Sequence, residues 1–187
     1  MSLQKETLHV AMELSKKKWK LAFGDGSKQR FRSITAKETQ TLFAEVKKAR
    51  EKFGLRADAP VIFCYEAGRD GFWIYRMLVK KGYGCDVMDP SSIEVPRRAR
   101  QRKTDRLDAK KLLRLLLRSR LWGETDAYSV VRVPSEEQES DMRLYRERDR
   151  LMSERTGHRS RIRSLLALHG IEVSNPLSVK LDKLKDW

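Results

Sequence analysis

An uninterrupted apolar run, Val61 to Tyr65, is the feature that most constrains the fold of this chain. A strand with one face in water alternates polar and apolar residues, whereas a run without polar residues predicts a strand that is buried on both faces. The following segment "GFWIYRMLVKKG" predicts a short helix that ends at Gly82, and "GCDVMD" predicts a second strand. Strand, helix and strand form a βαβ unit, so these residues predict parallel strands with helices packed against them.

The residues before this unit predict three strands and a helix. The runs "TLHVAMEL", "KKWKLAFG" and "KQRFRSI" have strand-like patterns and are separated by short turns, which indicates an antiparallel meander. A helix is expected from about Ala36 to Phe53, with a capping box formed by Thr35 and Glu38. A further helix is expected from about Thr104 to Leu121. The order βββαβαβα predicts an α/β fold with a mixed sheet and flanking helices.

The balance of charge indicates the kind of partner. The 187 residues include 41 Lys and Arg against 26 Asp and Glu, a formal net charge of +15, which favours a polyanion. No apolar run approaches the roughly 20 residues that span a bilayer, and the N-terminus lacks the pattern of a secretory signal, so no membrane partner is expected. Cys64 and Cys85 lie in apolar stretches and are expected to be free thiols in a reducing compartment, which predicts a cytoplasmic protein.

Four carboxylates stand where predicted strands or helices meet loops: Glu13, Glu66, Asp105 and Asp108. Functional sites gather beyond the carboxyl ends of parallel strands. The first strand and the strand Val61–Tyr65 are expected to be the central pair of the sheet, so Glu13 and Glu66 are expected side by side at that edge. Asp105 and Asp108 are three apart and share one helix face. Converging carboxylates need a cation between them, and hard oxygen ligands suit Mg²⁺ or Mn²⁺. By spacing alone, however, the two aspartates are also explained as a helix cap, and Glu13 as an exposed edge residue.

A basic loop directly precedes the two aspartates. Its position beside the acids favours phosphate contact over a merely solvated surface. The residues expected to bind nucleic acid are Arg97, Arg98, Arg100, Arg102, Lys103 and Arg106.

The last third of the chain predicts one long helix after Pro134. Leu144, Leu151, His158 and Leu165 fall seven residues apart, which indicates a coiled-coil seam and a homo-oligomer. The expected domains are residues 1–125, which would carry the catalytic site, and residues 126–187, a helical segment. The chain ends inside the periodic segment "LSVKLDKLKDW", so we expect it to continue in a further domain.

Three separated motifs carry a resemblance to a known family. They are "ELSKKKW", "YEAGRDGFW" and "DPSSIEVPRRARQRKTDRLDA", and together they resemble the DEDD transposases of bacterial insertion sequences, the family that includes the Piv-type DNA invertases. The resemblance implies a RuvC-like, ribonuclease-H-type fold. It also implies that Glu13, Glu66, Asp105 and Asp108 form a tetrad that binds divalent metal.

The same resemblance implies activity and partners. Members are recombinases that move or invert DNA, in many cases guided by a structured RNA. Their metal site works with a serine on a separate C-terminal domain, across subunits of an oligomer, and that domain is missing from this sequence. Glu13 stands where the family usually has Asp; glutamate is one methylene longer and is still a hard oxygen ligand.

Two other functions fit the residues. One is a non-catalytic module that binds nucleic acid and dimerises through the long helix, which the replacement of Asp by Glu13 favours. The other is a stand-alone RuvC-like nuclease. Metal-dependent cleavage of DNA by the chain alone would distinguish the nuclease from the binding module.

Overall fold

A computed structural model describes residues 6–68, 72–93 and 105–176, except for the side chains of residues 105–107. The chain divides into two compact units, residues 1–133 and 134–187. The first unit contains a five-stranded sheet in the order β3-β2-β1-β4-β5. The strands are β1 (Leu8–Leu14), β2 (Lys18–Gly24), β3 (Gln29–Thr35), β4 (Val61–Glu66) and β5 (Gly84–Met88).

Pairing in the sheet is mixed, as the sequence predicts. Strands β1, β2 and β3 form the antiparallel meander, and β1, β4 and β5 pair in parallel. The apolar run Val61–Tyr65 lies in β4, between β1 and β5, which explains why both of its faces are apolar. The predicted mixed sheet with flanking helices is therefore confirmed.

Helices cover both faces of this sheet. They are α1 (Thr39–Phe53), α2 (Trp73–Lys80) and α3 (Asp105–Trp122). Val10 and Met12 belong to the core that α1 and α2 complete, whereas Ala11 and Cys64 belong to the core beneath α3. Successive residues of a strand point to opposite faces, so β1 contributes to both cores. Both cysteines are free, as expected, and burial raises the pKa of each thiol.

The start of α1 differs from the prediction. The helix begins at Thr39, and Glu38 is its N-cap without any side-chain capping hydrogen bond, so the predicted capping box of Thr35 and Glu38 is wrong. Lys37 has a φ of 69°, which takes the chain out of helical geometry directly before the cap. The Glu38 carboxylate instead accepts a hydrogen bond of 3.1 Å from the Thr41 hydroxyl.

Helix α3 runs along the sheet in a defined direction. Ala109, near its start, lines a cavity together with Lys20 at the start of β2. Farther along α3, the Leu113 side chain packs against Gly24 at the end of β2. A Cβ atom added to Gly24 would lie 3.2 Å from a δ-carbon of Leu113. Helix α3 therefore runs parallel to β2 and antiparallel to β1, and its first turns lie near the carboxyl end of β1.

A buried polar network holds the far end of α3 to the sheet. Asp86 on β5 is 7% exposed, and both of its oxygens accept hydrogen bonds of 2.7 Å from the Arg120 guanidinium. The Tyr128 hydroxyl donates to the same carboxylate at 2.6 Å. Burial, followed by this hydrogen bond, raises the pKa of Tyr128 well above its usual range.

His9 on β1 gives the first unit a testable pH dependence. The side chain is 1% exposed, its Nδ1 has no hydrogen-bond partner in the described part of the chain, and burial lowers its pKa to about 4. The unfolded chain takes up this proton near pH 6.5, before the folded chain does, so stability is complete above that pH and falls as the pH falls towards 4. We expect the loss from pH 7.5 to pH 4.5 to be about 2.5 kcal/mol.

Urea unfolding of the parent chain and of His9→Leu at these two pH values measures this contribution. Glu45, whose pKa is lowered by hydrogen bonds, also reduces stability in acid, but it does so equally in both chains. The attraction between Asp25 and His9 is counted as part of the His9 contribution. The difference between the chains therefore isolates His9. An acid-induced loss of the same size in His9→Leu would contradict the assignment.

The second unit contains one long helix, α4 (Glu136–Ala167). Ser135 and Gln138 form a capping box at its start, and Glu136, Glu137 and Glu139 suit the positive end of the helix dipole. The predicted long helix is confirmed. No helix in the described part of the protein is both long enough and apolar enough to span a bilayer.

Candidate active site

Strand register brings Glu13 and Glu66 to the same place. Strands β1 and β4 pair in parallel from Leu8 with Val61 to Met12 with Tyr65. The next step of this register sets Glu13 beside Glu66, on neighbouring strands whose axes are about 4.8 Å apart. Both residues fall two positions after Ala11 and Cys64, so they belong to the sheet face that α3 covers. The sequence predicts this adjacency, and the register supports it by extension beyond its last pair, Met12 with Tyr65.

Helix α3 sets Asp108 over the same edge of the sheet. Asp108 is half-buried and lies one turn before Leu112 on α3. The Cys64 thiol on β4 donates a hydrogen bond of 3.8 Å to the Leu112 carbonyl oxygen. Cys64 in turn lies two residues before Glu66 on β4. Asp105 is the first residue of α3, and its side chain lies outside the described residues.

The donor set is that of a hard divalent cation. Glu13, Glu66 and Asp108 offer carboxylate oxygens, the ligands that Mg²⁺ and Mn²⁺ prefer. Among the described residues, no three His, Cys, Asp or Glu side chains form a group that could hold a metal ion. Glu13, Glu66 and Asp108 are among these residues, so the three side chains do not form such a group by themselves. The side chain of the fourth predicted ligand, Asp105, lies outside the described residues.

A groove opens beside this edge on the side of the meander. Its volume is about 400 Å³, and its lining is Lys20, Leu21, Phe31, Arg32, Ser33 and Ala109. Lys20 pairs with Glu13 across β1 and β2, which puts its half-buried side chain next to the carboxylates. The ammonium group of Lys20 has no ion pair within the described part of the chain. A cation in a groove with an aromatic ring suits a phosphate-bearing strand.

Sequence reasoning missed the groove. The pattern of β2 identifies Trp19, Leu21 and Phe23 as buried, and Lys20 then counts as one polar residue among many. The available signal is the small residues that follow Lys20 on the same face, Ala22 and Gly24, because they mark the face on which a helix packs closely.

The structure describes only some of the basic residues between Arg97 and Arg120, and some of those bind acids inside the fold. Arg97, Arg98, Arg100, Arg102 and Lys103 lie outside the described residues, as does the side chain of Arg106 on α3. Two other cations of α3 are used inside the fold, since Arg120 binds Asp86 and Arg118 donates to Glu124 at 2.7 Å. Part of the basic run therefore stabilises the first unit rather than facing a partner.

Comparisons with known proteins agree on one family. A family model described as a transposase, of the DEDD type named after IS110, matches residues 10–171. A Sinorhizobium fredii protein named "Putative transposase y4rJ" is 40% identical over 91% of the chain and 44% of its own length. The transposase for insertion sequence element IS1533 of Leptospira borgpetersenii is 29% identical over 90% of the chain and 46% of its own length.

The chain spans about half the length of these curated relatives. No solved structure matches it.

Proposed function

Since the chain belongs to the IS110 family of DEDD transposases, we propose that it carries the divalent-metal site at which the transposase of an insertion sequence cleaves and exchanges DNA strands. The observation that supports the proposal is the parallel register of β1 and β4, whose continuation by one step beyond Met12 and Tyr65 would set Glu13 beside Glu66. Bacterial or archaeal cytoplasm, where such elements reside, is the proposed location.

The proposed ligands are Glu13, Glu66, Asp105 and Asp108, and the proposed ion is Mg²⁺ or Mn²⁺. A bound ion of this kind would stabilise charge on the phosphodiester oxygens and favour attack on phosphorus. The protein's part is to hold four carboxylates in one place against their mutual repulsion, using two strand ends and one helix. Glu13 reaches farther than the aspartate usual in the family, and we propose that it remains a ligand.

Phosphate binding in this proposal has two sources. Lys20 in the groove would contact one phosphate, and Arg97, Arg98, Arg100, Arg102, Lys103 and Arg106 would contact others along the DNA or a structured guide RNA. The nucleophile would be the serine of a C-terminal domain, supplied across an oligomer that the long helix holds together. Neutralising phosphates releases counterions, so binding should weaken with salt.

The test of the proposal is strand cleavage by the intact transposase that contains this chain, on plasmid DNA that carries the ends of the element. We expect cleaved or joined products that require Mg²⁺ or Mn²⁺ and disappear with a chelator. Products that persist in the chelator would overturn the metal site. DNA that is bound but never cut, although Mn²⁺ is present, would instead support the non-catalytic binding module.

Removing the ammonium group from the groove should weaken DNA binding. We expect Lys20→Ala to lower the affinity for single-stranded DNA about three- to tenfold, and to reduce the slope of log affinity against log salt by about 0.7, because one phosphate contact is lost. Fluorescence anisotropy at several salt concentrations measures both quantities.

Lys47→Ala on α1 is the matched control, since it removes the same charge from an exposed position on the helix that covers the other face of the sheet. We expect a slope close to that of the parent chain. Equal effects of the two substitutions would show that the groove contributes only net charge and would contradict its role as a phosphate site.

A further inference from the structure

Helix α4 exposes its large apolar residues. Leu144 is 72% exposed, Leu151 is 52% exposed and Leu165 is 56% exposed. No residue of α4 is buried, although the helix has 32 residues. A helix of this length is normally held by packing of an apolar stripe, so these leucines indicate a surface that a partner covers.

The three leucines and Ile162 lie on one stripe, and Met142, Tyr145 and Met152 are exposed beside it. Spacings of four and three alternate from Leu144 to Leu165, which is the pattern of a coiled-coil seam. The stripe consists of Leu144, Arg148, Leu151, Arg155, His158, Ile162 and Leu165.

The described segment after α4, residues 168–176, makes its hydrogen bonds to α4 beside this seam. Arg159 donates to the Asn175 side chain at 3.0 Å, and Arg163 donates to the Val173 carbonyl at 3.2 Å. Both arginines lie to one side of the seam on the helical surface, so the described segment after α4 flanks the stripe rather than covering it.

Charge is distributed unevenly along α4. Residues 136–149 contain six acids and three arginines, a net charge of −3, whereas residues 150–167 contain five arginines and one glutamate, a net charge of +4. Two such helices side by side attract most when the acidic half of one lies against the basic half of the other. A parallel pair would place like charges together along its whole length.

The residues along the seam also favour an antiparallel pair. A parallel pair in register would set Arg148 against Arg148 of the partner subunit, and Arg155 against its own copy, at the centre of the interface. In the antiparallel register that sets Leu144 against Ile162 of the partner subunit, Leu151 meets the partner's Arg155, and Arg148 meets the partner's His158. Glu147 then lies beside Arg161 of the partner subunit, so opposite charges flank the two apolar layers that Leu144 and Ile162 form.

We propose that α4 pairs with α4 of a second copy of this chain in an antiparallel orientation, with residues 144 and 162 in one layer. The proposal deepens the oligomer of the proposed function and rests on it. The two starting residues of α4 then lie at opposite ends of an interface about 45 Å long.

Cysteine crosslinking distinguishes the orientations. In the antiparallel register, two copies of residue 148 lie ten residues apart along the axis, about 15 Å, which is beyond the reach of a disulfide. Arg148→Cys alone should therefore form no crosslink, and a mixture of Arg148→Cys with His158→Cys should form a mixed disulfide. The parent chain, with Cys64 and Cys85, controls for the native thiols.

A disulfide between two Arg148→Cys chains would overturn the orientation and keep the oligomer. A monomer in sedimentation equilibrium, with no crosslink in either sample, would overturn both and assign the stripe to another segment of the chain or to a different partner. Mn²⁺ binding measured on the same samples reports separately on the catalytic proposal, so the two failures can be told apart.

Charge exchange gives a second readout. We expect Glu147→Lys to raise the dissociation constant of the dimer about tenfold, because residue 147 of each chain faces the partner's Arg161 and two such pairs become repulsive. We expect the added substitution Arg161→Glu to restore the dissociation constant. Glu147 also accepts hydrogen bonds from Arg150 in its own helix, so circular dichroism must show that α4 still forms. A double variant as weak as the single one would contradict the register.

Discussion

Glu66→Gln is expected to lower the affinity for Mn²⁺ by about 100-fold or more and to abolish strand cleavage. The substitution keeps the shape of the side chain and removes one of the anionic oxygens at the end of β4. Removing even a group that only orients a metal ligand costs about 10–100-fold in affinity, so loss of a direct ligand should cost at least the upper value. Electron paramagnetic resonance of free Mn²⁺ during a titration measures the change.

Two variants control this experiment. Glu51→Gln removes the same charge from an exposed position on α1 and should bind Mn²⁺ like the parent chain. Glu13→Asp introduces the residue usual in the family, and we expect it to retain binding, whereas Glu13→Gln should lose it. Unchanged Mn²⁺ affinity in Glu66→Gln would remove Glu66 from the site.

Asp86→Ala is expected to cost about 2–3 kcal/mol of the free energy of unfolding. The substitution leaves the buried Tyr128 hydroxyl without its acceptor and the Arg120 guanidinium without its carboxylate. Removing one partner of a fully buried ion pair costs about 3–5 kcal/mol, and the lower figure follows because the Arg120 side chain is 43% exposed and water can solvate it. Urea unfolding followed by circular dichroism measures the loss.

Tyr128→Phe tests the same network with a smaller change. We expect about 1 kcal/mol, since the ring remains packed and only the hydroxyl is lost. In the double variant the two losses should not add, because both substitutions break the same hydrogen bond. A loss below about 0.5 kcal/mol for Asp86→Ala would show that the network does not hold α3 to the sheet.

The central strand pair could be predicted because local sequence determines it. The apolar run Val61–Tyr65 requires two neighbouring strands and two covered faces, and the βαβ connection through α2 makes its pairing with β5 parallel. From there the position of Glu66 beside Glu13 follows from each residue's place at the end of its strand. The family resemblance added the roles of Asp105 and Asp108, because their spacing alone favours a helix cap.

Other features depend on contacts between residues far apart in the chain. Arg120 looks like one more cation in a basic run, and only the fold brings it to Asp86, 34 residues earlier. The groove around Lys20 likewise requires the placement of α3 over the meander. The capping box failed for a local reason, since Lys37 adopts a positive φ that no pattern of helix signals announces.

The most direct test of the central claim is a crystal structure of the protein grown with Mn²⁺, with anomalous diffraction used to locate the ion. The proposal predicts Mn²⁺ at the carboxyl ends of β1 and β4, with oxygens of Glu13, Glu66, Asp105 and Asp108 about 2.0–2.2 Å from metal. An anomalous map without Mn²⁺ at this edge, with Glu13 or Glu66 more than about 8 Å from the two aspartates, well beyond any ligand distance, would contradict it.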